Sequence, residues 1–319
     1  MKWMHDPGLI ICQLITWTLL LSVWGVLFWL DFVFLSPSTY MDSIPLETNI
    51  LLLLTSNIFL DILIIITFFG YFFSSWIVLI AMDATVIEES DNPKLYAMVD
   101  RLRTKAGLPM PKIAISKLPV PNAFATGRNR RHSVVAVTPS LLSLLNDDEL
   151  ESVIAHELSH IKNYDMMTMT LASLFAVIAT CMLIGGITEF VEGKKETLAD
   201  WIIALFLLII FVCLYIYTLF LTLLLSRIRE LAADRGSALI TQNPNAMIRA
   251  LNKITSGTAT MPASESKPSA FSSFLIIPAS TGESSLSELI STHPSLGERV
   301  RNIERVKAEM RKKGIYVKP

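Results

Sequence analysis

The sequence predicts a mainly α-helical membrane protein that has four transmembrane helices and a cytoplasmic α+β domain with a small β-sheet. Apolar residues make up 52% of the chain and charged residues 17%, and the mean hydropathy is +0.51. Soluble proteins carry about 25% charged residues, so the apolar excess indicates membrane segments. The remaining segments combine helical periodicity with short β-prone runs, which indicates an α+β domain outside the membrane.

Four apolar runs are each longer than the roughly 20 residues that a helix needs to cross a bilayer. They cover residues 9–35, 50–82, 167–191 and 201–225. The first run exceeds the apolar core of a cleaved signal peptide, which is about 7–15 residues long, so we expect a retained anchor. The runs divide the chain into a membrane region with two helices (1–82), a polar segment (83–165), a transmembrane hairpin (166–225) and a second polar segment (226–319).

The distribution of lysine and arginine predicts the orientation in the membrane. Ten of these residues lie in 83–165 and fourteen in 226–319, against none in 36–49 and two in 192–200. Positive residues accumulate on the cytoplasmic side of membrane proteins. We therefore expect a multi-pass protein of the cell (inner or plasma) membrane, with both polar segments and both termini in the cytoplasm.

Charge and cysteine content exclude some functions. The formal net charge of −1 gives no indication of nucleic-acid binding. Cys12, Cys181 and Cys213 all lie inside apolar runs, so we expect neither a disulfide framework nor a cysteine-ligated metal.

The most informative motif is H-E-x-x-H, formed by His156, Glu157 and His160. On a helix, positions four apart lie on one face, so both imidazoles can reach a single metal ion. Glu157 then lies where its carboxylate can take a proton from a metal-bound water. Asn146 and Glu149 predict a capping box at the start of this helix. The alternative is a pair of hydrogen-bonded core histidines.

A catalytic zinc site needs a third protein ligand, and Glu230 is the candidate. Glu230 and Asp234 lie four apart on a predicted helical extension of the last apolar run. Glu230 could bind the metal while Asp234 orients a ligand histidine; alternatively, both are solvated carboxylates paired with Arg227 or Arg229. Two membrane crossings separate His160 from Glu230 and return the chain to the same side, so the topology permits a shared ion.

The first polar segment predicts a helix, from Asn92-Pro93 to Gly107, and two short strands, 112–116 and 133–138. Residues 122–126 between the strands could form a sheet edge that pairs with an extended peptide. Spacing alone favours an ordinary hairpin with a charged turn.

The second polar segment predicts two further helices and a loop. One helix begins at Asn243-Pro244 and runs through Ile254, and a later one follows residues 292–295. Between them, residues 256–287 are rich in serine and predict a mobile loop.

Taken together, the motifs resemble those of the HtpX-type membrane metallopeptidases, relatives of the CAAX prenyl-protein endoproteases. The resemblance covers residues 83–306 and depends on H-E-L-S-H at 156–160, E-L-A-A-D at 230–234, P-N-A-F-A-T-G-R at 121–128, and T-H-P-S at 292–295 followed by Arg299. It implies a zincin-like metalloprotease domain. Four spans fit the HtpX group better than the many-spanned prenyl-protein proteases.

The resemblance also implies roles for individual residues. One zinc ion per chain would be held by His156, His160 and Glu230, with Glu157 as general base and acid. Asp234 would support the ligands, and His293 would steady the developing oxyanion. The implied substrate-binding residues are Asn122, Ala123, Phe124, Ala125 and Arg299. The implied partners are protein substrates, above all damaged membrane proteins cut near the lipid bilayer.

Two other functions are open at this point. Asp61 is an acid inside the second apolar run, and an ionisable residue there is a candidate for a transport pathway. A catalytically inactive scaffold of the same fold is the other alternative, although every catalytic residue type is present.

Overall fold

The computed structural model describes residues 68–193, 195–259 and 293–318, together with residues 10, 14, 17, 18, 21, 25 and 65. Most of the first two predicted spans, Asp61, and residues 260–292, which include most of the serine-rich segment 256–287, lie outside the described residues.

The described residues from Phe68 onward form eight helices and four strands. In chain order these are α1 (Phe68–Ala81), β1 (Ala84–Ile87), α2 (Pro93–Ala106), β2 (Lys112–Ser116), β3 (Ala123–Asn129), β4 (His132–Val137), α3 (Pro139–Leu144), α4 (Asp147–Lys162), α5 (Asp165–Glu192), α6 (Leu198–Thr241), α7 (Pro244–Ala259) and α8 (Leu296–Lys312). The predicted strand at 133–138 begins and ends one residue earlier than expected, and β1 was not predicted.

Local sequence sets the ends of the helices that position the site. Asn92 caps α2, whose first residue is Pro93, and the helix ends at Gly107 with φ 71°, a left-handed conformation that glycine adopts without strain. Asn146 and Glu149 form the predicted capping box of α4: each side chain binds the backbone N–H of the other residue. The start of the H-E-x-x-H helix is therefore fixed by its own residues.

The four strands form one mixed sheet in the order β1-β2-β4-β3. Strands β3 and β4 pair as an antiparallel hairpin, as spacing favoured, whereas β2 and β4 run parallel. This order leaves β3 at an edge of the sheet, as required by the strand-pairing prediction for residues 122–126.

The sheet is covered on both faces. Ile113, Val135 and Val137 contribute to a large cluster that also contains residues of α2, α4 and α7, while Phe124 and Ala136 contribute to a smaller cluster at the end of α1. Alternate strand residues point to opposite faces, which explains this division. Helix α4 lies against the strand β3, so the motif helix and the sheet edge are neighbours.

Helix α4 is unusually buried, and α6 approaches it closely. Every residue from Ser152 to Ile161 is buried. A Cβ built on Gly236 of α6 would lie 2.2 Å from Oγ of Ser159, closer than real Cβ atoms come. Only glycine permits this approach, which brings the predicted third ligand on α6 close to the two histidines of α4.

Two described helices, α5 and α6, are long and apolar enough to cross a membrane. They correspond to the predicted hairpin, and α6 continues through the polar residues after 225, as predicted. The described part of the apolar helix α1 is shorter, so the structure supports two of the four predicted spans and does not test the other two.

The chain divides into two compact units. Among the described residues, one comprises those within 74–172 and 222–318, and the other comprises those within 10–73 and 173–221. The sheet, the helix α4 and all the candidate site residues belong to the first unit.

Candidate metal centre

The two motif histidines face each other across one turn of α4. Their Nε2 atoms lie 3.2 Å apart, and His156 and His160 are only 1% and 8% exposed. The helical spacing therefore produces the shared face that the motif predicts.

Glu230 joins the two histidines from α6. Its Oε2 lies 3.6 Å from Nε2 of His156, and its Oε1 lies 3.6 Å from Nε2 of His160. One atom from each of the three side chains lies within 4.8 Å of the others, and all three residues are buried. The prediction of a distant third ligand is confirmed.

The spacing of these atoms fits zinc. Zinc–nitrogen and zinc–oxygen bonds are about 2.0–2.2 Å long, so two donors at a tetrahedral angle are roughly 3.3 Å apart. The observed separations of 3.2 and 3.6 Å lie on either side of that value. Two imidazoles and one carboxylate are also the ligand types of catalytic zinc sites, which leave a fourth position for water or substrate.

Each ligand histidine is held on its far nitrogen by a carboxylate. Nδ1 of His156 lies 3.0 Å from Oδ1 of Asp234, and Nδ1 of His160 lies 2.6 Å from Oδ2 of Asp165. The contact of His160 with Asp165 has hydrogen-bond geometry and fixes the tautomer that leaves Nε2 free for a metal, whereas the approach of Asp234 to Nδ1 of His156 is less well aligned. The predicted role of Asp234 beside a ligand histidine agrees with this contact.

The guanidinium of Arg299 donates two hydrogen bonds to the carboxylate of Asp234. Its Nε donates to Oδ2 at 2.9 Å and its Nη2 donates to Oδ1 at 2.7 Å, and Arg299 is 2% exposed. Such paired hydrogen bonds are strong and directional. Asp234 is therefore not a solvated carboxylate, and Arg227 and Arg229 pair elsewhere, with Glu298 and Asp165 respectively.

The carboxylates change the proton affinities of the site. Burial alone would lower the pKa of His156, but hydrogen bonds to Asp234 and Glu230 outweigh it and raise that pKa to about 9. Burial would raise the pKa of Glu230, which lies beyond the predicted span at 201–225, but His293 and His156 lower it well below its usual value. The site therefore favours a positive charge beside an ionised Glu230, as a metal centre requires.

The remaining predicted residues lie at different distances from the centre. His293 is 6% exposed, with Nδ1 3.4 Å from Oε2 of Glu230. Glu157 is 4% exposed and follows His156 on α4. Asn122 is buried just before β3, while Ala123, Phe124 and Ala125 begin that edge strand. The structure thus brings His293 to the metal ligands. It places the predicted substrate-binding residues Asn122 to Ala125 on or directly before the neighbouring strand β3.

Asp165 was not predicted. It is the first residue of α5 and fully buried. An acid at the start of a helix is usually explained by the helix dipole, so no separate signal in the sequence marked Asp165 as part of the site. Its position five residues after His160 is the only cue that could have directed attention to it.

A buried set of two histidines four apart on a helix, an intervening glutamate and a distant glutamate ligand defines the class of zinc metallopeptidases. The chain belongs to peptidase family M48, whose family model matches residues 89–307. His156, His160 and Glu230 form the zinc site that is typical of this family.

Several proteins that are similar in sequence to this chain are named protease HtpX homologues. The chain is 44% identical over 246 residues to a protease HtpX homolog of Moorella thermoacetica, covering 75% of this chain and 81% of that protein. It is 38% identical over 317 residues to protease HtpX homolog 2 of Methanosarcina mazei, covering 97% and 99%. The resemblance found in the motifs is confirmed: the chain is an HtpX homologue and a membrane zinc metallopeptidase.

A solved structure also matches. The crystal structure of S. mikatae Ste24p aligns with a TM-score of 0.48 and 19% identity, covering 94% of this chain and 67% of that one. The family assignment depends on the sequence relatives.

Proposed function

We propose that this metallopeptidase is an endopeptidase that cuts misfolded or damaged membrane proteins in their cytoplasmic segments, and so serves membrane protein quality control. The observation that carries the proposal is the position of the metal ligands. Glu230 lies on the same helix as the apolar run that ends at Leu225, and His160 is followed almost directly by the apolar helix α5. A site so close to two apolar helices is suited to substrates that emerge from the bilayer.

The orientation with four spans and a cytoplasmic catalytic domain is part of the proposal. It is supported by the excess of lysine and arginine in residues 83–165 and 226–319. Two crossings by α5 and α6 would return the chain to the same side of the membrane, which the shared ligand set requires.

Each site residue has a proposed part in the reaction. His156, His160 and Glu230 would hold the zinc ion, which when bound would act as a Lewis acid and lower the pKa of bound water to about 7. Glu157 takes the proton of the attacking water and delivers it to the amine that leaves. His293, beside Glu230, stabilises the developing oxyanion, and Arg299 keeps Asp234 in place while contributing to substrate binding.

The substrate is proposed to bind as an added strand along β3. Thr138 N donates to the carbonyl of Asn122 at 3.0 Å, and Phe124 lies opposite Ala136 in the register. Because backbone groups alternate in direction along an antiparallel pair, Ala123 and Ala125 direct their N–H and C=O groups away from β4. Ala123 is buried and Ala125 is partly exposed, so the groups of Ala125 are the first that an extended peptide would pair with, whatever its sequence.

We predict that Ala125→Pro reduces kcat/KM by about 2–10-fold, since one substrate hydrogen bond worth about 0.5–1.5 kcal/mol is lost. Proline removes the outward N–H of residue 125 and is tolerated on edge strands. The effect should appear in KM measured with an extended peptide. Ala125→Gly, which keeps the N–H, is the matched control. Equal kcat/KM in the two variants would contradict the strand-pairing model.

The proposed function predicts that chelation removes proteolysis and that zinc restores it. Protein reconstituted in lipid vesicles should cleave a destabilised membrane protein, and a chelator should reduce the rate to background. A well-folded version of the same substrate is the control. Cleavage of soluble peptides alone, or equal cleavage of both substrates, would contradict the proposed substrate class. No cleavage of any protein by the zinc-loaded chain would instead support an inactive scaffold.

A further inference from the structure

Asp165 makes the shortest polar contact at the metal centre. Its Oδ2 lies 2.6 Å from Nδ1 of His160 and 3.4 Å from Nε of Arg229. The histidine is the closer partner by far, since 3.4 Å between a nitrogen and an oxygen is beyond an ordinary hydrogen bond. Arg229 therefore balances the charge of Asp165, and His160 receives its directed interaction.

This contact decides which nitrogen of His160 can bind a metal. An ionised carboxylate only accepts hydrogen bonds, so the proton of a neutral imidazole must lie on Nδ1 when that atom faces Asp165. Nε2 then keeps its lone pair, and it is the atom that faces His156 and Glu230. The same contact prevents the ring from turning over.

A carboxylate also lies beside Nδ1 of the other histidine, but it comes from a different helix and is less well aligned for a hydrogen bond. Asp234, which lies on α6 with Glu230, contacts Nδ1 of His156. Asp165 is the first residue of α5. The metal centre is therefore held at three points: the ligand pair on α4, the ligand and carboxylate on α6, and one carboxylate on α5.

We propose that Asp165 is a positioning residue of the zinc centre: it holds the Nδ1–H of His160, directs Nε2 at the metal, and ties the centre to the first residue of the apolar helix α5. Carboxylates that orient ligand histidines raise the basicity of the ring and its affinity for metal. The inference concerns metal binding and does not depend on the identity of the substrate.

The test is the zinc affinity of Asp165→Asn in the purified full chain, measured by competition with a chelator of known affinity. Zinc binding should weaken about 10–100-fold, as for other residues that support metal ligands. Asp165→Glu, which keeps the charge but moves it by one methylene, should lie between the wild type and Asp165→Asn. The matched control is Asp147→Asn, an exposed acid paired with Lys94 at the other end of α4; its zinc affinity should be unchanged.

A second measurement separates positioning from a merely structural role. The unfolding midpoint of the metal-free protein should fall in Asp165→Asn, because Arg229 loses its charge partner, but this loss alone would not weaken zinc binding by the folded chain. A lower midpoint with zinc affinity within twofold of the wild type would overturn the proposal. If Asp165→Asn does not fold, wild-type zinc affinity in Asp165→Glu would also overturn it. A wild type that binds zinc and cuts no protein would refute the proposed function alone.

Discussion

Replacement of Glu157 by glutamine is expected to abolish proteolysis while leaving zinc bound. Glutamine has nearly the shape of glutamate but cannot take a proton from water, and general acid–base catalysis contributes about 10²–10⁴-fold to a rate. Glu157 is not part of the set of three ligands, so zinc affinity should not change. The measurements are kcat/KM on an unfolded protein substrate and zinc content per chain.

Glu151→Gln is the control for this variant because it makes the same chemical change on the same helix. Glu151 is partly exposed and pairs with Arg101, and surface ion pairs contribute about 0–1 kcal/mol to stability. Near-normal activity is expected. Two results would argue against the role of Glu157: activity of the Glu157→Gln variant within tenfold of the wild type, or loss of its zinc.

The parts of the site that depend on residues close together in the sequence were predictable. His156, His160 and the capping box depend on spacings of three and four residues along one helix, and helical geometry converts these spacings directly into positions in space. Glu230 is more distant, yet the topology made it a candidate, because an even number of crossings returns the chain to the same side of the membrane.

The hydrogen bonds that join different helices at the site were not predictable. The hydrogen bond from His160 to Asp165 depends on the direction in which the chain turns after α4, and the two hydrogen bonds from Arg299 to Asp234 depend on the docking of α8. A periodic pattern in the sequence predicts neither the turn of the chain after α4 nor the docking of α8. The roles of His293 and Arg299 came from the resemblance alone, and only their positions near Glu230 and Asp234 can be read from the structure.

The strand β1 shows a different limit. Residues 84–87 form a short run that follows the apolar helix α1 directly, and no turn signal of glycine or proline separates them. The antiparallel pairing with β2 supplies the hydrogen bonds that make this run a strand. A four-residue strand whose partner begins more than twenty residues later has little local signal to find.

Glu230→Gln is expected to cause the loss of zinc and, with it, all proteolysis. The carboxylate contributes one of three ligands and the only negative charge among them, and an amide is a much weaker ligand for zinc. The loss in affinity should exceed the about 10–100-fold expected for a residue that only orients a ligand. Zinc content of the purified variant should fall from one per chain to near zero, and an excess of zinc should restore activity only in part.

The matched control for Glu230→Gln is Glu309→Gln. Glu309 pairs with Arg235 near the surface, so this variant should retain zinc and activity. The pair of variants tests whether one ion is shared by the histidines of α4 and by Glu230 of α6, which are separated in sequence by two apolar segments. If Glu230→Gln kept a full complement of zinc, His156 and His160 would have to find their third ligand elsewhere. The close approach of α6 to α4 at Gly236 and Ser159 would then serve packing and not the metal.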